Sequence, residues 1–260
     1  RAGARAGRAG AGLRFRAALP ALPAGVPGRG APAATDGGRH RRGLPRAAAM
    51  TAPLLATRDL AVHFRLRRGL LERGPRLLKA VDGVSLEVAE GETVALVGES
   101  GCGKSTLARA VLQLQAPSAG MVLWRGRDVG ALDAAALRRQ RRELQMVFQD
   151  PFGSLDPRLP IGRAIARPLR ALAPAQDPAA RAIRVAEVME AVGLPAAWAG
   201  RYPHELSGGQ RQRVAIARAI GVGPRLLVCD EPVSALDVSI QAQIINLLLR
   251  LQQELGMALL

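Results

Sequence analysis

Beyond residue 50 the chain alternates short apolar runs with amphipathic segments, and turns rich in glycine and proline separate them. Short apolar runs are typical of strands, whereas apolar residues spaced by three and four are typical of helices. The pattern predicts strands at 57–64, 80–88, 93–97, 122–124, 144–148 and 225–229, the first an edge strand and the third a buried parallel strand. It predicts helices at 105–115, 134–142, 161–172, 179–192, 207–220 and 239–255, and the start of another strand at 257–260.

The order of these segments predicts an α/β fold with a mostly parallel central sheet and an antiparallel β edge. Between residues 150 and 205 proline becomes frequent and helical patterns dominate, and Gly193 is placed as a carboxyl-terminal helix cap. We interpret this stretch as part of a helical subdomain, at about 150–220, inserted into a domain that runs from 50 to 260.

Residues 1–49 differ from the rest, because they consist almost entirely of alanine, glycine, arginine and proline, with ten arginines against one acid, Asp36. On composition, this segment is expected to be a disordered extension, and Met50 is a suitable start for the structured domain. Two alternatives remain open. One is a cleaved organellar presequence, which would normally also be rich in serine, and the other is a basic arm that binds phosphates.

The net charge of +16 is unevenly distributed, because residues 1–49 carry +9 of it. The basic character of the whole chain therefore does not by itself indicate a nucleic-acid binder. Cys102 and Cys229 have neither a CxxC partner nor metal-ligand spacing, and we expect both to be reduced in a cytosolic compartment. No apolar run approaches the ~18 residues needed to span a bilayer, so membrane association would need a partner.

Residues 98–105 read Gly-Glu-Ser-Gly-Cys-Gly-Lys-Ser, follow a short apolar run and open a helical pattern. This is the context that a phosphate-binding loop of the form G-x-x-x-x-G-K-[ST] requires, with backbone N–H groups converging on phosphate oxygens. Lys104 is expected to reach the β- and γ-phosphates, and the hydroxyl of Ser105 to bind Mg²⁺. The predicted nucleotide-binding residues here are Gly98, Glu99, Ser100, Gly101, Cys102, Gly103, Lys104, Ser105 and Thr106.

Two carboxylates follow the apolar run at 226–229, at the sheet edge where open α/β folds bind ligands. Asp230 is placed to hold Mg²⁺ through water, and Glu231 to act as general base toward the attacking water. Gln149 ends the strand predicted at 144–148 and could contact Mg²⁺ or that water. By itself, this glutamine would be an ordinary polar loop residue.

Ser207-Gly208-Gly209-Gln210 opens a helix that Ser207 can cap, and the free N–H groups of its first turn form a second candidate anion site. Because the phosphate loop already serves one phosphate group, this second site indicates either a different phosphate or a second copy of the domain. Phe64 is either a residue that stacks on adenine or a core or edge aromatic. Three histidines without metal spacing are interpreted as surface or loop residues: His40, His63 and His204.

Five stretches of the sequence resemble, in the right order, the motifs of ABC-transporter ATPases. They are 98–105 for Walker A, Gln149 for the Q-loop, 206–210 for the signature, 226–231 for Walker B and 234–237 for the D-loop. The resemblance extends over about 54–260, and the five motifs together are highly specific. Finer stretches resemble bacterial oligopeptide and dipeptide importer ATPases, at 79–85, 147–151, 202–213 and 230–237. Gly-Cys-Gly-Lys-Ser-Thr at 101–106 resembles the second of the two ATPase subunits that such importers commonly carry.

The resemblance implies a P-loop NTPase of the ABC type, with ATP and Mg²⁺ held between two ATPase subunits that are identical or paralogous. The phosphate loop of one subunit would face residues 207–210 of the other, Asp237 would line the seam, and Phe64 would stack on adenine. The implied catalytic residues are Lys104, Gln149 and Glu231, and the implied metal-binding residues are Ser105, Gln149 and Asp230.

The resemblance further implies that ATP hydrolysis powers the import of peptides or a similar small solute. The chain would bind peripherally to permease subunits at the cytoplasmic face of the bacterial inner membrane. Residues 150–205 would dock a coupling helix of the permease, and Gln149 would relay the nucleotide state. A solute-binding protein would be an indirect partner, and no nucleic-acid partner is expected.

The end of the chain departs from the family pattern, because a switch histidine and the carboxyl-terminal extension of peptide importers do not follow 257–260. We therefore expect the domain to be incomplete there, and ATP hydrolysis by this chain to be weak or lacking. One alternative is a soluble ABC-type ATPase for DNA repair, chromosome structure or translation, which would usually show a coiled-coil insertion or a second cassette. Another is a basic nucleic-acid binder, which does not explain the paired phosphate motifs.

Overall fold

The computed structural model describes residues 14–15, 52–66 and 77–260. The strands are β1 (Arg14–Phe15), β2 (Leu55–Arg65), β3 (Leu77–Val88), β4 (Leu96–Val97), β5 (Ala119–Trp124), β6 (Arg127–Asp128), β7 (Leu144–Val147), β8 (Leu226–Cys229) and β9 (Ala258–Leu259). The α-helices are α1 (Lys104–Val111), α2 (Ala134–Glu143), α3 (Pro151–Ser154), α4 (Ile161–Leu172), α5 (Pro178–Ala191), α6 (Gly208–Ile220) and α7 (Val238–Leu255). Short 3₁₀ helices lie at Ala196–Gly200 and Pro203–Glu205.

Four of the strands form an antiparallel sheet in the order β3-β2-β5-β6. Along β3 the buried residues Val84, Leu86 and Val88 alternate with exposed ones, as expected for a sheet with one face on the core. The prediction of an edge strand at 57–64 is wrong, because β2 pairs with β3 on one side and β5 on the other. Alternation reports which face of a strand is buried, and carries no information about its neighbours.

A second sheet is parallel, in the order β7-β8-β9, and confirms the predicted parallel centre with an antiparallel edge. An isolated parallel bridge joins Thr93 to Leu259. The prediction of a buried strand at 93–97 holds only in part. Just Leu96 and Val97 are strand, they pair antiparallel with β1, and Val97 is 62% exposed. Besides its pairing with β8, β9 exchanges backbone hydrogen bonds with residues 92–94, and among the described residues no such bond is shown from β9 to Leu96 or Val97.

The two faces of β8 belong to two different hydrophobic cores. Leu226 and Val228 pack with the antiparallel sheet and α1, while Leu227 packs with helices α4 to α7. Successive side chains of a strand point to opposite faces, so one short strand separates the two cores. It delivers Asp230 to the point where both meet.

Local signals in the sequence explain the helical part. Asp177 caps α5 with hydrogen bonds from two backbone N–H groups, and Gly193, which has a φ of 77°, follows its end. The helical subdomain at about 150–220 and the domain at 50–260 remain predictions as boundaries. Of the extension predicted at 1–49, only β1 is described, and the proposed start at Met50 lies outside the described residues.

Candidate functional site

The phosphate loop connects β4 to α1, and two of its glycines have left-handed backbone conformations. Gly101 has a φ of 80° and Gly103 a φ of 105°, values that residues with a Cβ atom rarely adopt. A Cβ atom at position 103 would lie 2.1 Å from the carbonyl oxygen of Ala80 on β3. The loop therefore closes against the antiparallel sheet only because no side chain is present where α1 begins.

Lys104, the first residue of α1, turns its ammonium group back over this loop. Its Nζ donates hydrogen bonds of 2.9 Å to the carbonyl oxygens of Gly98 and Glu99. The same Nζ lies 3.4 Å from Oε1 of Glu231, and only 16% of the lysine side chain is exposed. The cation is thus held between the loop backbone and a carboxylate, where phosphate oxygens would find it within reach.

Asp230 and Glu231 leave the carboxyl end of β8 beside the phosphate loop. Asp230 is buried, with 4% of its surface exposed, and its Oδ1 accepts a 2.6 Å hydrogen bond from the hydroxyl of Ser105. Glu231 has a left-handed φ of 45°, a conformation that is uncommon for residues other than glycine. The two carboxylates therefore have different partners: Asp230 is hydrogen-bonded to Ser105 on α1, and Glu231 lies beside Lys104.

Gln149 reaches the same place from a neighbouring strand. Val147 on β7 pairs with Cys229 on β8 in parallel, so the residues two positions further, Gln149 and Glu231, come together. The Gln149 Nε2 donates a 3.0 Å hydrogen bond to Glu231 Oε2. Both carboxylate oxygens of Glu231 are consequently engaged, one by an amide and the other by the ammonium of Lys104.

The donor set fits a magnesium ion that is shared with a phosphate ligand. Mg²⁺ prefers oxygen ligands and is usually bound through one or two carboxylates together with substrate phosphates. Ser105 and Asp230 supply a hydroxyl and a carboxylate in direct contact. Among the described residues, no group of three or more His, Cys, Asp and Glu side chains could hold a metal alone. A divalent ion here would take its remaining ligands from water and from the oxygens of a bound phosphate.

Residues 207–210 form the start of α6, as predicted, but they lie against a different part of the chain. The side chains of Ser207 and Gln210 cap the helix reciprocally, each accepting a hydrogen bond from the other's backbone N–H. A Cβ atom at Gly208 would lie 3.4 Å from Leu236, so this turn packs on the loop before α7. No hydrogen bond or ion pair shown for the described residues links 207–210 to the phosphate loop of the same chain.

Phe64, Asp237 and the three histidines are the other positions that were singled out from the sequence. Phe64 is half-buried on β2, where it packs against the core of the antiparallel sheet, so its contact with adenine remains a prediction. Asp237 is exposed at the start of α7, and its side chain makes no capping hydrogen bond. His63, interpreted as a surface or loop residue, lies partly exposed on β2, and its Nε2 is 2.8 Å from Asp82 Oδ1. His204 lies in the 3₁₀ helix before α6, and His40 is outside the described residues.

Sequence reasoning missed a groove of about 800 Å³ between α2 and α4, which Gln149 helps to line. Its apolar lining includes Met146, Phe148 and Leu172. Four arginines line it, Arg109, Arg141, Arg167 and Arg218, against two carboxylates, Asp150 and Asp156.

Among these arginines, Arg218 has a backbone hydrogen bond and a shifted pKa. Its Nη1 donates a short hydrogen bond to the carbonyl oxygen of Ser154. Burial, and then the charge of Arg167, lowers the pKa of Arg218. The four arginines lie on four different helices, α1, α2, α4 and α6. Because they are far apart in the sequence, no single stretch of it predicts the groove.

A family model described as "ABC transporter" matches residues 81–234. The chain is 51% identical over 209 residues to the oligopeptide transport ATP-binding protein OppF of Salmonella typhimurium, which covers 80% of this chain and 63% of that protein. It is also 51% identical over 210 residues to the glutathione import ATP-binding protein GsiA of Escherichia coli, covering 80% of this chain and 33% of that protein. The chain thus spans less than two thirds of these relatives.

Solved structures with the same architecture include the ATP-binding cassette MJ0796, in a dimeric post-hydrolysis state bound to ADP and Pi. It superposes with a TM-score of 0.66 at 30% identity, over 79% of this chain and 85% of that one. The cbiO1 protein of Clostridium perfringens, part of the transporter complex cbiONQ, gives 0.66 at 26% identity, over 80% and 76%. Of the helices that the structure describes, none is both long and apolar enough to cross a bilayer.

Proposed function

Because the chain belongs to the ABC transporter family, we propose that it binds and hydrolyses ATP to power the import of peptides or a similar small solute. The observation that carries this proposal is the meeting of Lys104, Glu231 and Gln149 at the phosphate loop, with contacts of 3.4 and 3.0 Å. The relatives named above are ATP-binding proteins of oligopeptide transport and of glutathione import. They favour transport over a soluble ATPase for DNA repair or translation.

Each residue of the cluster has a role that follows from its position. The loop N–H groups and the Lys104 ammonium bind the β- and γ-phosphates, while Glu231 accepts a proton from the attacking water. Gln149 holds the Glu231 carboxylate in place through its amide. Ser105 and Asp230 would hold Mg²⁺, which neutralises charge on the phosphate oxygens when it is bound.

A second ATPase subunit completes the site in this proposal. No contact shown for the described residues joins 207–210 to the phosphate loop of the same chain, so in this proposal a copy of the domain, identical or paralogous, brings them to the nucleotide. Asp237 is exposed beside that helix, which suits a position on the seam. Phe64 would stack on the adenine from the antiparallel sheet.

The arginine-lined groove would receive the permease. Its apolar lining and its four arginines suit an amphipathic segment that carries carboxylates, and one of its lining residues, Gln149, is hydrogen-bonded to Glu231. The chain would thereby sit at the cytoplasmic face of the bacterial inner membrane, with a solute-binding protein as an indirect partner and no nucleic acid. The variant Arg167→Glu should reduce co-purification with the permease subunits, whereas Arg163→Glu, on the same helix but outside the groove, should not. Equal effects would contradict this assignment.

Lysine substitutions test the catalytic proposal, because the chain contains just two lysines, Lys79 and Lys104. Lys104→Ala removes charge-assisted contacts to the phosphates and should weaken binding of Mg-ATP by about tenfold or more, measured by titration calorimetry on the full-length natural protein. Lys79→Ala, which breaks only an exposed ion pair with Asp82, should leave that affinity unchanged. Failure of the unmodified protein to bind Mg-ATP would refute the proposal.

A further inference from the structure

One buried polar side chain in α6 has no hydrogen-bond partner. Three polar or charged side chains are buried among the described residues: Thr57, Gln212 and Asp230. Thr57 and Asp230 are hydrogen-bonded. Gln212 is 0% exposed, and neither its Oε1 nor its Nε2 has a partner in the described part of the chain. Buried amides are normally paired, so this one requires an explanation.

The position of Gln212 suggests where the explanation lies. It is four residues after Gly208 and three after Gly209, on the same face of α6. That face packs tightly on the segment 231–240, since a Cβ atom at Gly209 would lie 2.7 Å from Ile240 Cγ2. The segment begins at Glu231 and ends in the first turn of α7.

One side-chain hydrogen bond connects α7 back to this segment, and another joins α6 to α7. Gln241 Nε2 donates a 2.9 Å hydrogen bond to the carbonyl oxygen of Leu236, and Arg213 Nη2 lies 3.4 Å from Gln243 Oε1. No buried ion pair between α6 and the segment 231–240 is shown for the described residues, so a shift of one against the other would break none. The unpaired amide of Gln212 disfavours the present arrangement and would favour one in which it is satisfied.

We propose that Gln212 is a positioning residue, which gains its hydrogen bonds when α6 and the segment 231–240 change their relative position during ATP turnover. In the second arrangement the amide would connect the helix that begins at residues 207–210 to the segment that carries Glu231 and Asp237. The inference rests on the proposed ATPase function, since it assigns Gln212 to a step of that cycle.

The test compares Gln212→Met with the unmodified protein, at full natural length and assembled with its transporter partners. Methionine has a similar volume and no polar atoms to satisfy, so the melting temperature should rise by about 2–4 °C. The kcat for ATP should fall about tenfold, with KM unchanged, because the present arrangement becomes harder to leave. A purely structural glutamine would not combine higher stability with lower kcat.

A matched control is Gln140→Met on α2, whose Nε2 is also buried without a partner. This variant should leave kcat unchanged. Unchanged kcat in Gln212→Met, or a melting temperature that falls, would overturn the inference, because the amide would then be paired or irrelevant to turnover. Should the unmodified protein lack ATPase activity, the proposed function fails first. The melting temperature of Gln212→Met still reports on the amide by itself.

Discussion

Replacement of Gly103 by alanine should damage the phosphate loop more than the same replacement at Gly101. Both positions have left-handed backbone conformations, with φ values of 105° and 80°, and an L-residue there costs on the order of 1–2 kcal/mol. At Gly101 no atom lies within 4 Å of the added Cβ, so backbone strain is the whole effect. At Gly103 the Cβ would approach the Ala80 oxygen to 2.1 Å.

That approach is far shorter than a non-bonded contact, and the atom in the way is backbone, so the loop and β3 must move apart. Steric overpacking typically costs a further ~1–3 kcal/mol. Gly103→Ala should therefore lower the free energy of unfolding by about 2–5 kcal/mol, and Gly101→Ala by about 1–2 kcal/mol.

Urea unfolding of the two variants and the unmodified protein measures the difference, and nucleotide titration shows whether the displaced loop also loses affinity. Only Gly103→Ala is expected to lower both quantities strongly, because its clash displaces the amino end of α1. Equal unfolding free energies for the two variants would refute the reasoning from the Ala80 contact.

Three further predictions follow from individual contacts. Thr57→Val should lower the free energy of unfolding in urea by about 1–3 kcal/mol, because it leaves the Leu86 N–H without its 3.0 Å acceptor, while Thr57→Ser keeps the hydroxyl and should lose only the ~0.8 kcal/mol of one buried methyl group. Hydrogen bonds from Lys79 and then His63 lower the pKa of Asp82 below its ordinary 3.8. The stability this adds is present above that value and lost as pH falls further, so Asp82→Asn should flatten acid unfolding curves. Burial raises the pKa of Cys229 to about 12, so mass spectrometry should show Cys229 alkylated at least about tenfold more slowly than Cys102 at neutral pH.

Elements with local start and stop signals were predicted closely from the sequence. The helix predicted at 161–172 coincides with α4 (Ile161–Leu172), and the apolar run before Asp230 with β8. Such signals reside in neighbouring residues, such as the cap at Asp177 and the left-handed Gly193. The position of β2 inside its sheet was predicted wrongly, because its two neighbours are set by pairings with distant segments.

The candidate site was predicted as a set of residues, and their contacts were not. Gln149 and Glu231 are 82 positions apart, and they meet only because β7 and β8 are adjacent and parallel. The Gln212 amide was likewise beyond sequence reasoning, since its burial depends on how α6 packs. The motifs identify the residues of the candidate site, whereas the order of the strands determines which of these residues are in contact.

The split of β8 between two cores has a consequence for how the molecule melts. Leu227 packs in one hydrophobic core, and Leu226 and Val228 pack in the other. The strand is therefore shared by both cores. If one core unfolds locally by itself, β8 remains packed against the other core. Amide hydrogen exchange should therefore show two groups of protons, one for each core, that become exchangeable in separate opening events. The slowest exchange is expected along β8, so Asp230 and Glu231 at its end should be among the last residues to lose their native geometry.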